Sequence, residues 1–151
     1  MLRSEHRIDI VIEDQNGLPI VLIEPKCLKY RKHNWDKGSR LIAGHYNLKK
    51  TFRSIRKSIG ILAGKGTETS IGFLRRLGVE VYRIPFSMIS DVLGEYHIPY
   101  AWKEKDENTP KKTLELFRHL PAQHQQEIGE KIVQSIKNDL IRSINNSKFR
   151  P

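Results

Sequence analysis

A single cysteine, Cys27, among 151 residues has no partner within the chain. That excludes an internal disulfide and any zinc site built from clustered cysteines, and it sets a reducing, cytoplasmic setting as the expectation. Long apolar runs are missing too. The longest falls far short of the roughly 20 residues a membrane-spanning helix requires. The opening Met1-Leu2-Arg3-Ser4-Glu5-His6-Arg7 carries no apolar signal-peptide core. No membrane partner is therefore expected. Internal repeats and low-complexity stretches are absent as well.

Acidic residues are scarce beside basic ones, 17 against 27, for a net charge of +10. The scarcity is local. From Pro25 to Lys57 the basic residues are Lys26, Lys29, Arg31, Lys32, Lys37, Arg40, Lys49, Lys50, Arg53, Arg56 and Lys57. Only Asp36 opposes them, so this one segment carries the whole excess. Concentrated basic charge is the electrostatic footprint of a polyanion, because each phosphate neutralised releases counterions. The competing reading is a solvated basic face with no ligand. The residues expected to meet nucleic acid are Lys29, Arg31, Lys32, Trp35, Lys37, Arg40, Lys49, Lys50 and Arg53. Trp35 stands with Tyr30 and His33 among these cations, where an aromatic ring either stacks on bases or packs locally.

Strand-like segments at 7–13 and 19–26, rich in Ile and Val, flank Asn16-Gly17. That dipeptide tolerates the positive φ angles of a two-residue hairpin turn. The near-continuous apolar residues predict a strand pair covered on both faces. Leu41, His45, Leu48, Phe52, Ile55 and Ile59 recur at helical spacing and predict a helix over 37–58. A short strand at 59–63, a turn at 64–66, a helix at 68–77 capped by Thr67 and a strand at 79–84 form a parallel crossover. A helix capped by Ser87 follows, running to about residue 95. Thr109-Pro110 is a helix start, with Thr109 as cap. Pro121 opens a final helix that frays after about residue 144. The expected class is thus α/β: a mixed central sheet, antiparallel hairpin plus βαβ unit, flanked by helices. Residues 1–95 form the core, and 96–151 a helical extension packed on it.

A two-residue turn at Asn16-Gly17 sets Asp9 opposite Glu24, and Lys26 shares Glu24's face if the strand is regular. A one-residue slip would move Asp9 to the other face. Two close carboxylates call for a cation between them, and a hard divalent ion such as Mg²⁺ prefers such oxygens. The alternative is a cross-strand ion-pair cluster, which contributes little stability. His45 follows on the next helix. At such a place a histidine is more often a satisfied core residue than part of a site, and both roles stay open. Cys27, with no base nearby, is expected in the core, and Gly64-Lys65-Gly66-Thr67 as a plain turn, lacking full phosphate-loop spacing.

Ile8-Asp9, a hairpin, Glu24-Pro25-Lys26, then helix, strand, helix and strand resemble the PD-(D/E)xK, or restriction-endonuclease-like, nuclease core over residues 7–95. The resemblance implies a metal-dependent endonuclease acting on DNA, most like a type II restriction endonuclease. It implies Asp9, Glu24 and Lys26 as catalytic residues. Asp9, Glu24 and the backbone carbonyl of Pro25 would ligate Mg²⁺ or Mn²⁺. It also implies a homodimer, since duplex-cutting members pair two sites. Members usually carry a helix with a further acid before the first strand. Here six residues precede Arg7 and Glu5 is the one acid among them, so the resemblance implies either that Glu5 substitutes or that the chain is an N-terminally shortened member. A non-catalytic DNA-binding module of the same fold is the alternative. A structural protein whose basic helix meets an acidic partner is a third.

Overall fold

The computed structural model describes residues 7–30 and 34–148, with the side chains of Asn34, Trp35 and Lys148 excepted. Four strands make one mixed sheet in the order β1 (Ile10–Glu13), β2 (Pro19–Leu28), β3 (Lys57–Gly64) and β4 (Val79–Pro85). β1 runs antiparallel to β2, whereas β3 and β4 continue parallel to it. Between β2 and β3 lies α1 (Asn34–Thr51), and between β3 and β4 lies α2 (Glu68–Arg76). After β4 come α3 (Phe86–Gly94), α4 (Asn108–His119) and α5 (Ala122–Lys148). This is an α/β architecture with helices on both faces of the sheet.

Alternation along the strands divides the core in two. On one face Leu28, Leu62, Val79 and Val81 pack with Leu41 of α1 and with Ile71 and Leu74 of α2. On the other, Val21, Ile23 and Ile59 meet Leu140 and Ile144 of α5. Ile84 joins Ile89, Val92 and Leu93 of α3 and Ile128 and Ile136 of α5. Burying one such Leu or Ile side chain contributes about 1.5–3 kcal/mol. α1 sits close because β3 offers Gly60 beneath it. A Cβ there would lie 3.2 Å from Leu41 Cδ1.

The hairpin closes by a different turn from the expected one. Asp14 N donates to Leu18 O at 2.9 Å and Gly17 N to Asp14 O at 3.0 Å, so the loop is Gln15-Asn16-Gly17. Asp14 Oδ1 accepts from Asn16 N and Leu18 N, and Gly17 takes φ +76°. A three-residue loop shifts the pairing by one, giving Glu13 opposite Pro19. An irregularity between Ile12 and Glu13 leaves Ile20 unpaired in that ladder and restores Ile12–Val21, Val11–Leu22 and Ile10–Ile23. The bulge thus undoes the slip, and the register of the strand pair is the expected one beyond it.

Other expectations shift for identifiable reasons. β1 is an edge strand with Ile10 45% and Val11 42% exposed, so only β2 is covered on both faces. α1 ends at Thr51. Residues 52–56 form a turn, and Arg56 N donates to Ile20 O as β3 takes up pairing with β2. Phe52, Ile55 and Ile59 matched helical spacing, but pairing with a buried strand outweighs a weak helical preference. Asp106, not Thr109, closes the start of α4: its Oδ1 accepts from Asn108 N and Thr109 N, both at 3.0 Å. α3 starts directly from Pro85 without a side-chain cap. Thr67 does cap α2, accepting from Ser70 N at 3.3 Å. α5 continues through Ser147, which is buried, and does not fray at 145. The cause is tertiary: Arg56 Nη1 donates to Ser147 O at 2.8 Å, and Lys57 Nζ to Ser143 O at 3.2 Å and Ser143 Oγ at 2.6 Å. Cations bonding to the last carbonyls of a helix offset its dipole. Among the described residues no helix is long and apolar enough to cross a membrane.

Candidate active site

Glu24 and Lys26 are two residues apart on β2, so the pleat puts both side chains on the face that α1 covers. Glu24 is 6% exposed. Its Oε1 is in contact with Lys26 Nζ, and its Oε2 lies 3.4 Å from His45 Nε2. His45 is 2% exposed on α1, one turn beyond Leu41. Neither ring nitrogen makes an aligned hydrogen bond, so the contact with Glu24 is electrostatic. His45 is a core residue whose Nε2 meets the Glu24 carboxylate and whose Nδ1 has no partner. Burial holds its pKa below the usual value, with the Glu24 carboxylate pulling the other way. The imidazole is therefore neutral near pH 7.

Asp9 immediately precedes β1 and is exposed. The last ladder pair is Ile10–Ile23, and one further step along it leads to Asp9 and Glu24. Pro25 fits where β1 has run out. Leu28 O accepts from Lys65 N on the β3 side. By alternation, the odd residues of β2 therefore direct their backbone groups toward β1, where past Ile23 a missing N–H breaks no ladder bond. The same alternation leaves the Pro25 carbonyl on the side from which Asp9 approaches.

Among the described residues no three His, Cys, Asp or Glu side chains stand close enough to cage a metal. Mg²⁺ does not need such a cage: it binds through one or two carboxylates and keeps its waters. The donors here, two carboxylates and a backbone carbonyl, fit that hard ion in type. Both Glu24 oxygens already face cationic or polar nitrogen, so an ion would take the place of one of those contacts.

The basic segment separates into two sets. Lys29 Nζ donates to Tyr100 O and sits among three rings, 3.4 Å from the Trp102 centroid, 4.3 Å from Tyr100 and 4.7 Å from Phe86. Burial, then the nearby Lys65, lowers its pKa. Lys37 Nζ donates to Cys27 O, and Arg56 and Lys57 hold the end of α5. These residues anchor structure. Arg40, Lys50 and Arg53 are exposed, and Lys50 Nζ lies 4.5 Å from the Tyr46 ring centroid. Lys49 is half-buried, which lowers its pKa. Glu5, Arg31 and Lys32 lie outside the described residues, as does the side chain of Trp35.

Sequence reasoning missed the ring cage around Lys29. Its members Phe86, Tyr100 and Trp102 are far from residue 29 in the chain, and no spacing rule joins them. Cys27 was expected in the core. It is exposed, with Sγ 3.6 Å from Tyr100 Oη, because it lies past the end of β1. His45 had a visible signal: one helical turn from Leu41 on the face turned to the sheet. Comparison with family models, with curated proteins and with solved structures finds no match.

Proposed function

We propose that this chain is a divalent-metal-dependent endonuclease acting on DNA, of the PD-(D/E)xK kind. One observation carries the reading. A nearly fully buried carboxylate, Glu24, touches Lys26 two residues on, at the point where the neighbouring strand ends with Asp9 in register. Burying a charge is costly, and an ordinary core has no use for one here.

Asp9, Glu24 and the Pro25 carbonyl are the groups that would hold Mg²⁺ or Mn²⁺. When bound, the ion supplies an acidified water and positive charge beside a phosphate. The chain's own residues do the rest. Lys26 would stand beside the reacting phosphate and neutralise charge as it develops on the oxygens. His45, neutral and fixed by α1, backs Glu24 on the side away from Lys26. Arg40, Lys50 and Arg53 on and just after α1 grip the DNA backbone without reading sequence. Cutting both strands of a duplex would take a homodimer with two such sites.

A second reading, a DNA-binding module without turnover, is favoured by the exposed Asp9 and by the lack of a three-residue metal cluster among the described residues. Incubation of the full chain with supercoiled plasmid separates the two. Nicking or linearisation that requires Mg²⁺ or Mn²⁺ and disappears in Asp9→Ala and in Lys26→Ala is the expected result. Variants cutting like wild type would remove the assignment. Salt-sensitive binding that ignores chelator, without cleavage, would establish the binding module. Failure to bind nucleic acid even at low salt would leave an acidic protein partner for the basic helix.

A further inference from the structure

A sheet edge presents a row of backbone N–H and C=O groups, and proteins guard such edges with charges, prolines or irregular strands. The two edges here differ. β4 carries Glu80, Arg83 and a closing Pro85, with Arg83 in contact with Glu68 and Glu80 3.0 Å from Lys57. β1, Ile10-Val11-Ile12-Glu13, has neither lysine nor proline, and the bulge lies in β2, on its inner side. Ile10 and Val11 are the exposed apolar residues of that strand. Beside Val11 a cavity of about 300 Å³ is lined by Leu22, Leu48 and Phe52, the last 40% exposed.

Backbone direction says which groups of β1 are turned outward. Ile10 and Ile12 pair with Ile23 and Val21, odd residues of β2 whose backbone groups point toward β1. Those of Val11 and Glu13 therefore point away from the sheet, and continuing the strand back through Asp9 and Arg7 adds theirs. Side chains then decide the partner. Let residues 7–13 run antiparallel to a second copy of themselves, with the axis at Ile10. Arg7 and Glu13, both exposed, meet at either end. Ile8 meets Ile12, Ile10 meets its own copy, and Asp9 meets Val11. Opposite charges directly across a strand pair attract, and like charges repel. An axis at Val11 would set Asp9 against Glu13 at both ends, and one at Ile12 would run Ile10 into Asp14 and the turn. The segment is thus complementary to itself in one register.

We propose that β1 is the docking edge for a second copy of this chain, joining two four-stranded sheets antiparallel across a two-fold axis at Ile10. The second copy would draw residues 7–9 into the strand and so hold Asp9 in line with Glu24. The inference rests on the sheet edge and its charge pattern, and neither metal nor DNA enters it.

The test is sedimentation velocity of the full chain from low to high micromolar concentration, with amide exchange at Val11 followed by NMR in parallel. A concentration-dependent dimer is expected, and exchange at Val11 should slow as it forms. Arg7→Glu and Glu13→Arg each set like charges opposite one another at both ends of the pair, and each should weaken the dimer about tenfold. The double variant restores the attraction and should return to wild-type affinity. Val11→Pro removes an outward N–H that β2 does not use, so it should keep the fold, read by circular dichroism, and abolish the dimer. The charge exchange alters exposed side chains alone and decides the matter even where that proline variant unfolds. A monomer at every concentration would overturn the proposal, and a protected Val11 amide in that monomer would mean that the chain covers its own edge. A dimer that survives Val11→Pro with the fold intact, or a double variant no tighter than the single ones, would put the contact elsewhere and overturn it as well. A monomer that nicks plasmid would refute the dimer alone, and a dimer that never cuts would refute the nuclease reading alone.

Discussion

Replacing Glu24 and Lys26 together by methionine tests whether the buried carboxylate is kept for chemistry or for stability. The side chains are 8% and 25% exposed. At contact distance, near 3 Å, and an effective dielectric of about 20, their attraction is about 5 kcal/mol. Desolvation costs several kcal/mol for each ion, less for Lys26, which keeps part of its hydration. The two nearly cancel, while methionine fills similar space with no ion to desolvate. The double variant should therefore range from unchanged to about 3 kcal/mol more stable. Lys26→Met alone leaves Glu24 buried against a neutral histidine and should lose about 1–3 kcal/mol, an amount already reduced for the partial exposure of the lysine. Urea unfolding reads both: with m near 2 kcal/mol per M, each kcal/mol moves the midpoint by about 0.5 M. A double variant that loses about 2 kcal/mol or more at unchanged m would mark the pair as a stabilising device. The physical argument for a functional carboxylate would then fail.

Two further outcomes follow from the same site. His45 has its pKa lowered by burial, so the unfolded chain binds a proton near pH 6.5 that the folded chain refuses until lower pH. Its contribution to stability is complete above about pH 6.5 and is lost as pH falls. Wild type should lose more urea resistance between about pH 7.5 and 5.5 than His45→Gln, and equal losses would contradict the burial argument. For DNA binding, the available cations are Arg40, Lys49, Lys50 and Arg53, with Arg31 and Lys32 beyond the described residues. Four to six phosphate contacts give a log–log salt slope of about −4 to −5. A slope near −10, from titrations at several salt concentrations, would mean that the anchored lysines and arginines also reach phosphate.

The register of the strand pair was legible in the sequence because two effects cancelled. Asn16-Gly17 announced a turn, and Gly17 does take the positive φ, but the loop holds three residues. Only the bulge at Ile20 returns Asp9 to its place in line with Glu24. Nothing local in Pro19-Ile20-Val21 announces a bulge. The Glu24–Lys26 contact was legible because it needs only the two-residue repeat of a strand. The end of α1 was not, because Phe52, Ile55 and Ile59 keep helical spacing while serving a turn and a strand. Ile59 packs on the sheet face opposite α1, beside Val21 and Ile23. Periodicity sees that a residue is buried and cannot see against which layer.

Charge shows the same limit more sharply. The segment from Pro25 to Lys57 is one basic block when residues are counted, and counting treats each cation as facing solvent. Folding gives Lys26 to Glu24, Lys29 to three aromatic rings, Lys37 to the Cys27 carbonyl, and Arg56 and Lys57 to the closing turn of α5. Those cations are spent on partners between 2 and 91 residues away in sequence, and no window of the sequence contains both members of the longer pairs. What remains for a polyanion is the exposed set on and just after α1. That helix also presents His45 to Glu24, so the surface that would grip a nucleic acid and the carboxylate that would act on it are held in one rigid relation by Leu41 packed over Gly60.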